Sequence, residues 1–254
     1  LEHVAPLADL IHEKTKGNPF FAIQFISALA DEGLLTFDYG DARWIWDLPR
    51  IHAKGFTDNV VELMVAKLNR LPSETQTALQ QFACLGNTAA FEMLRIVYQG
   101  SIEDVHEGLW EAVRSGLIFR GDDSYRFLHD RVQEAAYSLI QKDLPAEAHL
   151  RIGKLLVAHT LPAKREEVIF EIVNQLNRGS HLIASIEERE RVADLNLIAG
   201  KRAKSATAYD AALKYLRAGG ALLTEETWQR NYELMFSIEH LMAECEMLTA
   251  EMAA

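Results

Sequence analysis

The stretch Leu117-Ile118-Phe119-Arg120-Gly121-Asp122-Asp123-Ser124-Tyr125-Arg126-Phe127-Leu128-His129-Asp130 decides how the chain is read. Two short runs, 117–120 and 124–127, flank Gly121-Asp122-Asp123, whose turn chemistry joins them as a hairpin. Immediately upstream the pattern is helical three times over. One helix is expected from about Ser73 to Leu85, stopping at Gly86-Asn87, and a second from about Ala89 to Tyr98, stopping at Gly100. A third starts at Ser101, with Asp104 at the capping-box position. Val105, Leu109, Ala112 and Val113 follow at helical spacing before Gly116.

Three helices followed by a tight hairpin is the order of a winged helix, a variant of the helix-turn-helix. Residues 71–141 are expected to form that domain. Before it, in residues 1–70, Leu7, Leu10 and Ile11 stand at i, i+3, i+4 on a first helix that ends before Lys16-Gly17. Asn18 reads as an N-cap and Pro19 as the first helical residue, since proline lacks the N–H that a first turn cannot use. The helix they open carries Phe21, Phe25, Ala28 and Leu29 on one face, and Gly33 closes it. Two strand-like runs, 34–37 and 43–47, surround the turn Asp38-Tyr39-Gly40-Asp41 and predict a hairpin within 34–47. The span 48–55, with Pro49 and Gly55, reads as a connector. Thr57 or Asp58 then caps a helix with Val61, Met64, Val65 and Leu68 on its apolar stripe.

After His129 only helix is expected, near 130–141, 146–160, 164–178, 188–205, 208–219 and 225–249. Short connections favour antiparallel neighbours. Ala203, Ala206, Tyr209, Ala212, Tyr215 and Leu216 mix small and aromatic residues in a way that resembles tetratricopeptide-type helix pairs, although no 34-residue period repeats cleanly. Residues 142–254 are therefore expected to form a helical array, and the fold class is mainly α.

Composition sets the outer limits. Of 254 residues, 49% are hydrophobic and 25% charged, enough for two or more small cores. No apolar run approaches the roughly 20 residues a membrane span needs. Leu1-Glu2-His3-Val4 has no basic n-region, and the missing initiator Met points to an internal segment. Cys84 and Cys245 are far apart, with no second ligand at metal spacing, so reduced thiols in a cytoplasmic protein are expected. The net charge of −11 argues against nucleic acid, and the third helix agrees: Glu103, Asp104, Glu107 and Glu111 stand against Arg114 alone. No phosphate-cradling G-x-x-x-x-G-K-[ST], nucleophile elbow or H-E-x-x-H occurs. His3, His12, His52, His106, His149, His159, His181 and His240 are scattered singly, so no metal site and no enzyme in its own right is expected.

Two motifs carry a family resemblance. Thr15-Lys16-Gly17-Asn18-Pro19-Phe20-Phe21 resembles the G-x-P signature at the lid of signal-transduction ATPases with numerous domains, the STAND class of AAA-type P-loop ATPases. Tyr125-Arg126-Phe127-Leu128-His129-Asp130 resembles the M-H-D motif of the winged helix in that class, with Leu128 in place of the methionine. The resemblance implies that Gly17 and Pro19 lie at the adenine of bound ADP or ATP with Mg, and that His129 and Asp130 lie toward its phosphates. Each motif also has a plain structural reading, as Asn18-Pro19 capping one helix and Asp130 capping the next. Leu68-Asn69-Arg70-Leu71-Pro72 and Phe127-Leu128-His129-Asp130-Arg131-Val132-Gln133-Glu134-Ala135-Ala136-Tyr137 further resemble the ATPase region of very large bacterial sensor proteins. In those, kinase domains flank the ATPase. The nucleotide-binding P-loop domain would then precede Leu1, and the chain's partners would be that domain and the kinase and sensor domains of the same polypeptide. Further protein partners would bind the helical array. The alternative is an interaction scaffold without a nucleotide role; a DNA-binding regulator fits less well.

Overall fold

The computed structural model describes residues 4–53, 60–141 and 144–252. Among them are fourteen α-helices and five short strands, so the protein is mainly α. The chain packs as two units, Leu1–Phe91 with Glu103–Ile140, and Glu92–Ile102 with Gln141–Ala254.

In the first unit, α1 (Ala5–Thr15) and α2 (Pro19–Asp31) form a helical pair. Asn18 caps α2 as its sequence suggests, its Oδ1 accepting from the amides of Phe20 at 3.0 Å and Phe21 at 3.4 Å. Lys16 and Gly17 both take positive φ at the turn between the helices. Gly33, at φ +65°, ends α2, and the Leu34 amide bonds back to the Leu29 carbonyl at 2.8 Å. The hairpin follows as β1 (Leu35–Asp38) and β2 (Arg43–Trp46), antiparallel with Leu35 opposite Trp46 and Phe37 opposite Trp44. Leu7, Leu10, Phe25, Leu29, Leu34, Leu35 and Ile51 form the core beneath it.

The connector expected over 48–55 is in part a helix, α3 (Leu48–Ala53). Asp47 Oδ1 accepts from the Arg50 amide at 3.0 Å, and Pro49 falls in the first turn, where its missing N–H costs nothing. The expected caps Thr57 and Asp58 lie outside the described residues. α4 (Val60–Leu68) buries Met64 and Leu68 completely.

α5 (Ser73–Leu85) occupies its expected span. The next helix differs at its start, because β3 (Thr88–Ala90) intervenes and α6 runs Phe91–Tyr98. Ala89 pairs with Tyr125 across a three-stranded antiparallel sheet, and that long-range ladder overrides the helical preference of the two alanines. α7 spans Ile102–Arg114, followed by β4 (Ile118–Arg120) and β5 (Ser124–Phe127), with sheet order β3-β5-β4. Phe82 of α5 stacks on Phe127 with centroids 4.2 Å apart, and Tyr125 is 1% exposed. α8 (Asp130–Ser138) crosses α5 and sends the Gln133 amide to the Ala83 carbonyl at 2.9 Å.

The second unit holds α6 and the helical array: α9 (Pro145–His159), α10 (Ile169–Arg178), α11 (Ile186–Ser205), α12 (Tyr209–Gly220), α13 (Thr227–Arg230) and α14 (Tyr232–Met252). Two expectations shift here. The helix placed at 164–178 starts at Ile169, after a 3-10 turn at Pro162–Lys164. The helix placed at 225–249 is broken at Asn231, whose φ of −145° and ψ of 67° are not helical. The helices pair through glycines. A Cβ on Gly153 would lie 2.6 Å from Leu176 Cδ2, and one on Gly200 would lie 2.7 Å from Leu216 Cδ2. Buried and half-buried polar groups bind each other. His149 Nδ1 donates to Gln175 Oε1 at 2.6 Å, and Asn177 and Asn196 exchange amide bonds at 2.8 and 2.9 Å. Burial holds the His149 imidazole below its ordinary range, with the Arg178 guanidinium acting in the same direction and the Gln175 bond opposing.

Gly153→Ala and Gly200→Ala are each expected to cost about 1–3 kcal/mol by urea unfolding, since a methyl group must displace a buried leucine. Gly220→Ala meets nothing closer than 3.7 Å. It is expected to be neutral or to stabilise by up to about 1 kcal/mol.

Candidate functional site

The two motifs singled out in the sequence lie 110 positions apart between Pro19 and His129. In space their residues meet. The His129 ring stacks on Phe20, with centroids 5.4 Å apart and planes 16° from parallel. It also sits 4.6 Å from the Phe21 ring at 53°. The imidazole therefore covers the N-terminal turn of α2, the turn that Pro19 opens.

Local structure places each member. β5 ends at Phe127, which is locked under α5, and the backbone stays extended through His129 at φ −153°, ψ 147°. That extended geometry makes His129 the N-cap of α8, with its Nδ1 accepting from the Arg131 amide at 3.1 Å. The plain reading of the sequence gave the cap to Asp130. Asp130 is instead the first helical residue, because the helix begins one position earlier than that reading has it, and its own Oδ1 accepts from the Arg131 amide at 2.8 Å. Asp130 Oδ1 also lies 2.5 Å from His129 Nδ1. The two roles of Nδ1 are alternatives: with a proton it donates to the carboxylate and the Arg131 amide is left to Asp130 Oδ1, and without one it accepts from that amide. In either case Nε2 is left for any other partner. The His129 side chain is 27% exposed and Asp130 78%.

Pro19 and Gly17 are exposed, and Gly17 holds φ +75° close to His12. A side chain at Gly17 would be strained by its backbone and would press on the His12 ring at 3.1 Å. The first amides of α2 are already taken by Asn18 Oδ1, so that helix end has little donor capacity for an anion.

One contributor escaped the sequence reading. Lys67 of α4 is partly buried, and its ammonium donates to the Gln24 side-chain carbonyl and, at 2.9 Å, to the Ser115 carbonyl. Burial pulls its pKa below the ordinary lysine range, and the Asp31 carboxylate opposes that. Gln24, 6% exposed, is the one polar residue of the buried stripe of α2, and its amide nitrogen reaches the Gly116 carbonyl at 3.5 Å. A glutamine inside Phe20-Phe21-Ala22-Ile23-Gln24-Phe25 was the available signal. Against the three-stranded sheet, Arg120 donates to His106 Nε2 at 2.8 Å, and His106 Nδ1 meets the Tyr125 hydroxyl at 2.9 Å, a neutral imidazole in a structural role. Among the described residues no cluster of three or more His, Cys, Asp or Glu could hold a metal ion, and no helix is long and apolar enough to cross a membrane.

The chain is 30% identical to hybrid signal transduction histidine kinase G of Dictyostelium discoideum, over 91% of its own length. It spans only 9% of that protein. The chain is thus similar to one segment of a large signalling protein. No known family pattern matches it, and no solved structure does.

Lys67→Met is expected to cost about 1–3 kcal/mol by urea unfolding, because it leaves the Gln24 and Ser115 carbonyls short of a donor. Lys67→Arg should recover part of that loss. A cost below about 0.5 kcal/mol would mean the ammonium is a bystander.

Proposed function

We propose that this chain is the lid and winged-helix side of a nucleotide-controlled switch in a STAND-type signalling ATPase, relaying to a helical array. On this reading α5 to β5 are the winged helix, with β3 as its first strand and β4-β5 as its wing. Residues 1–70 are the lid, 71–141 the winged helix, and 142–254 the tetratricopeptide-like array. The chain is not catalytic by itself, since the P-loop that would hold ADP or ATP with Mg belongs to a preceding domain. The polypeptide is a cytoplasmic one linked to kinase and sensor domains. The similarity to a hybrid signal transduction histidine kinase supports the signalling setting.

One observation carries the reading: His129 is stacked over Phe20 and beside Phe21, so the end of the wing and the start of the lid helix face one space. The exposed residues there suit a nucleotide. Pro19 offers a rigid apolar ring with no donor to satisfy, fit to lie on a base. When both ring nitrogens of His129 are protonated, Nδ1–H is held by Asp130, and Nε2–H can donate to a phosphate oxygen. Because Asn18 occupies the α2 amides, the phosphate contact falls to this imidazole rather than to the helix terminus.

The test uses the longer polypeptide that includes the P-loop domain. The wild type is expected to retain ADP through purification. His129→Ala should accelerate release of a fluorescent ADP analogue by tenfold or more, about 1.4 kcal/mol of lost contact. His181→Ala, on an exposed turn of the array, serves as the control. Unchanged ADP occupancy and release in His129→Ala would sink the switch.

The winged helix is proposed not to bind DNA. Glu103, Asp104, Glu107 and Glu111 lie on α7, the helix that would enter a groove, and the wing tip is Asp122-Asp123. In a gel-shift titration, no salt-sensitive complex is expected up to micromolar protein. A complex that weakens steeply with salt would reverse this.

A further inference from the structure

The outer face of α13 and α14 carries an aromatic ladder that stays largely exposed among the described residues. Trp228, Tyr232, Phe236 and His240 follow one another at intervals of four. Their centroids are 5.6, 5.7 and 5.6 Å apart, and the last two pairs are within 11° of parallel. Tyr232 is 58% exposed, Phe236 47% and Met247, further along the same face, 61%. The opposite face is spent on the core through Leu234, Ile238, Leu241 and Cys245. Among the described residues the ladder makes no part of that core, and an apolar strip of this kind marks an interaction surface. From Tyr232 to Met247 it runs about 22 Å, four helical turns.

Charge selects the occupant. At 3.6 residues per turn, Glu239 and Glu246 fall along one edge of the ladder and Glu233 and Glu244 along the other. Glu244 is matched by Lys204 at 2.7 Å and Glu246 by Arg217 at 3.0 Å. Arg230, the cation at the start of the strip, is directed to Glu187 and Glu190. Glu233 and Glu239 are exposed, one on each side of the ladder, and α14 itself carries no Lys or Arg. A second copy would set carboxylates against carboxylates, and an anionic membrane would be repelled.

We propose that this face docks a basic amphipathic helix. Its apolar side chains at i and i+4 would lie along Tyr232, Phe236 and Met247. Its flanking lysines or arginines would meet Glu233 and Glu239 and lie over the aromatic faces. The proposal is independent of any nucleotide role, since every residue it uses is in the second unit.

The test is a titration of the full chain by calorimetry. The probe is an amphipathic leucine/lysine peptide of roughly five helical turns. A leucine/glutamate peptide with the same apolar spacing is the counter-probe. The leucine/lysine peptide is expected to bind saturably, and the counter-probe at least tenfold more weakly. Tyr232→Ala/Phe236→Ala, which leaves net charge and core intact, should weaken binding tenfold or more. Glu233→Lys/Glu239→Lys should do the same, whereas Glu103→Lys/Glu107→Lys on α7 makes the same change in net charge and should alter it less than about twofold. The idea fails if no saturable binding is seen, if both peptides bind equally, or if the α7 pair weakens binding as much as the α14 pair, which would reduce the effect to bulk charge. It fails equally if Phe236→Ala abolishes a dimer of the chain, because a second copy would then be the occupant.

Discussion

An ammonium group partly withdrawn from water must find oxygen, and Lys67 finds it on two other elements at once. Its Nζ binds the side-chain carbonyl of Gln24 on α2 and the backbone carbonyl of Ser115, one residue past α7. Desolvating a charge is costly unless hydrogen bonds replace the lost water, so this contact is satisfied in one arrangement of the three segments. From Gly116 the chain enters β4, returns along β5 and arrives at His129. The meeting of His129 with Phe20 and Phe21 therefore depends on a cation that belongs to neither motif.

The fold was largely legible where local chemistry and long-range packing agree. Asn18-Pro19, Gly33 and the Leu71-Pro72 break before α5 announce helix ends whose causes lie within four residues. The misses have mixed causes, one long-range and two local. Ala89-Ala90 looks helical until Tyr125 supplies a strand to pair with. Residues 48–53 look irregular until Asp47 is seen accepting from the Arg50 amide. Asn231 interrupts a periodic helical pattern by leaving helical geometry and capping α14, its Oδ1 accepting from the Leu234 amide at 3.3 Å. Of the candidate site, the types of its residues were readable, but their proximity was not. Nothing between positions 21 and 129 states that the rings will stack, because that follows from the hairpin and from Lys67.

The His129–Asp130 pair and the α8 cap occupy the same few atoms. A ring nitrogen that faces both a carboxylate and a backbone amide ties the orientation of the imidazole to the integrity of the first turn of α8. Within the array, the buried pair of His149 with Gln175 and the half-buried pair of Asn177 with Asn196 add direction to contacts that leucines alone would leave interchangeable.

The glycines at the helix crossings have a mechanical consequence. Where Gly153 receives Leu176 and Gly200 receives Leu216, each leucine sits as a peg in a socket one atom deep. Such a joint resists both axial sliding and rolling, because either motion drives a backbone into a side chain within a few tenths of an ångström. Displacement of α9 against α10, or of α11 against α12, is therefore resisted first at these two contacts.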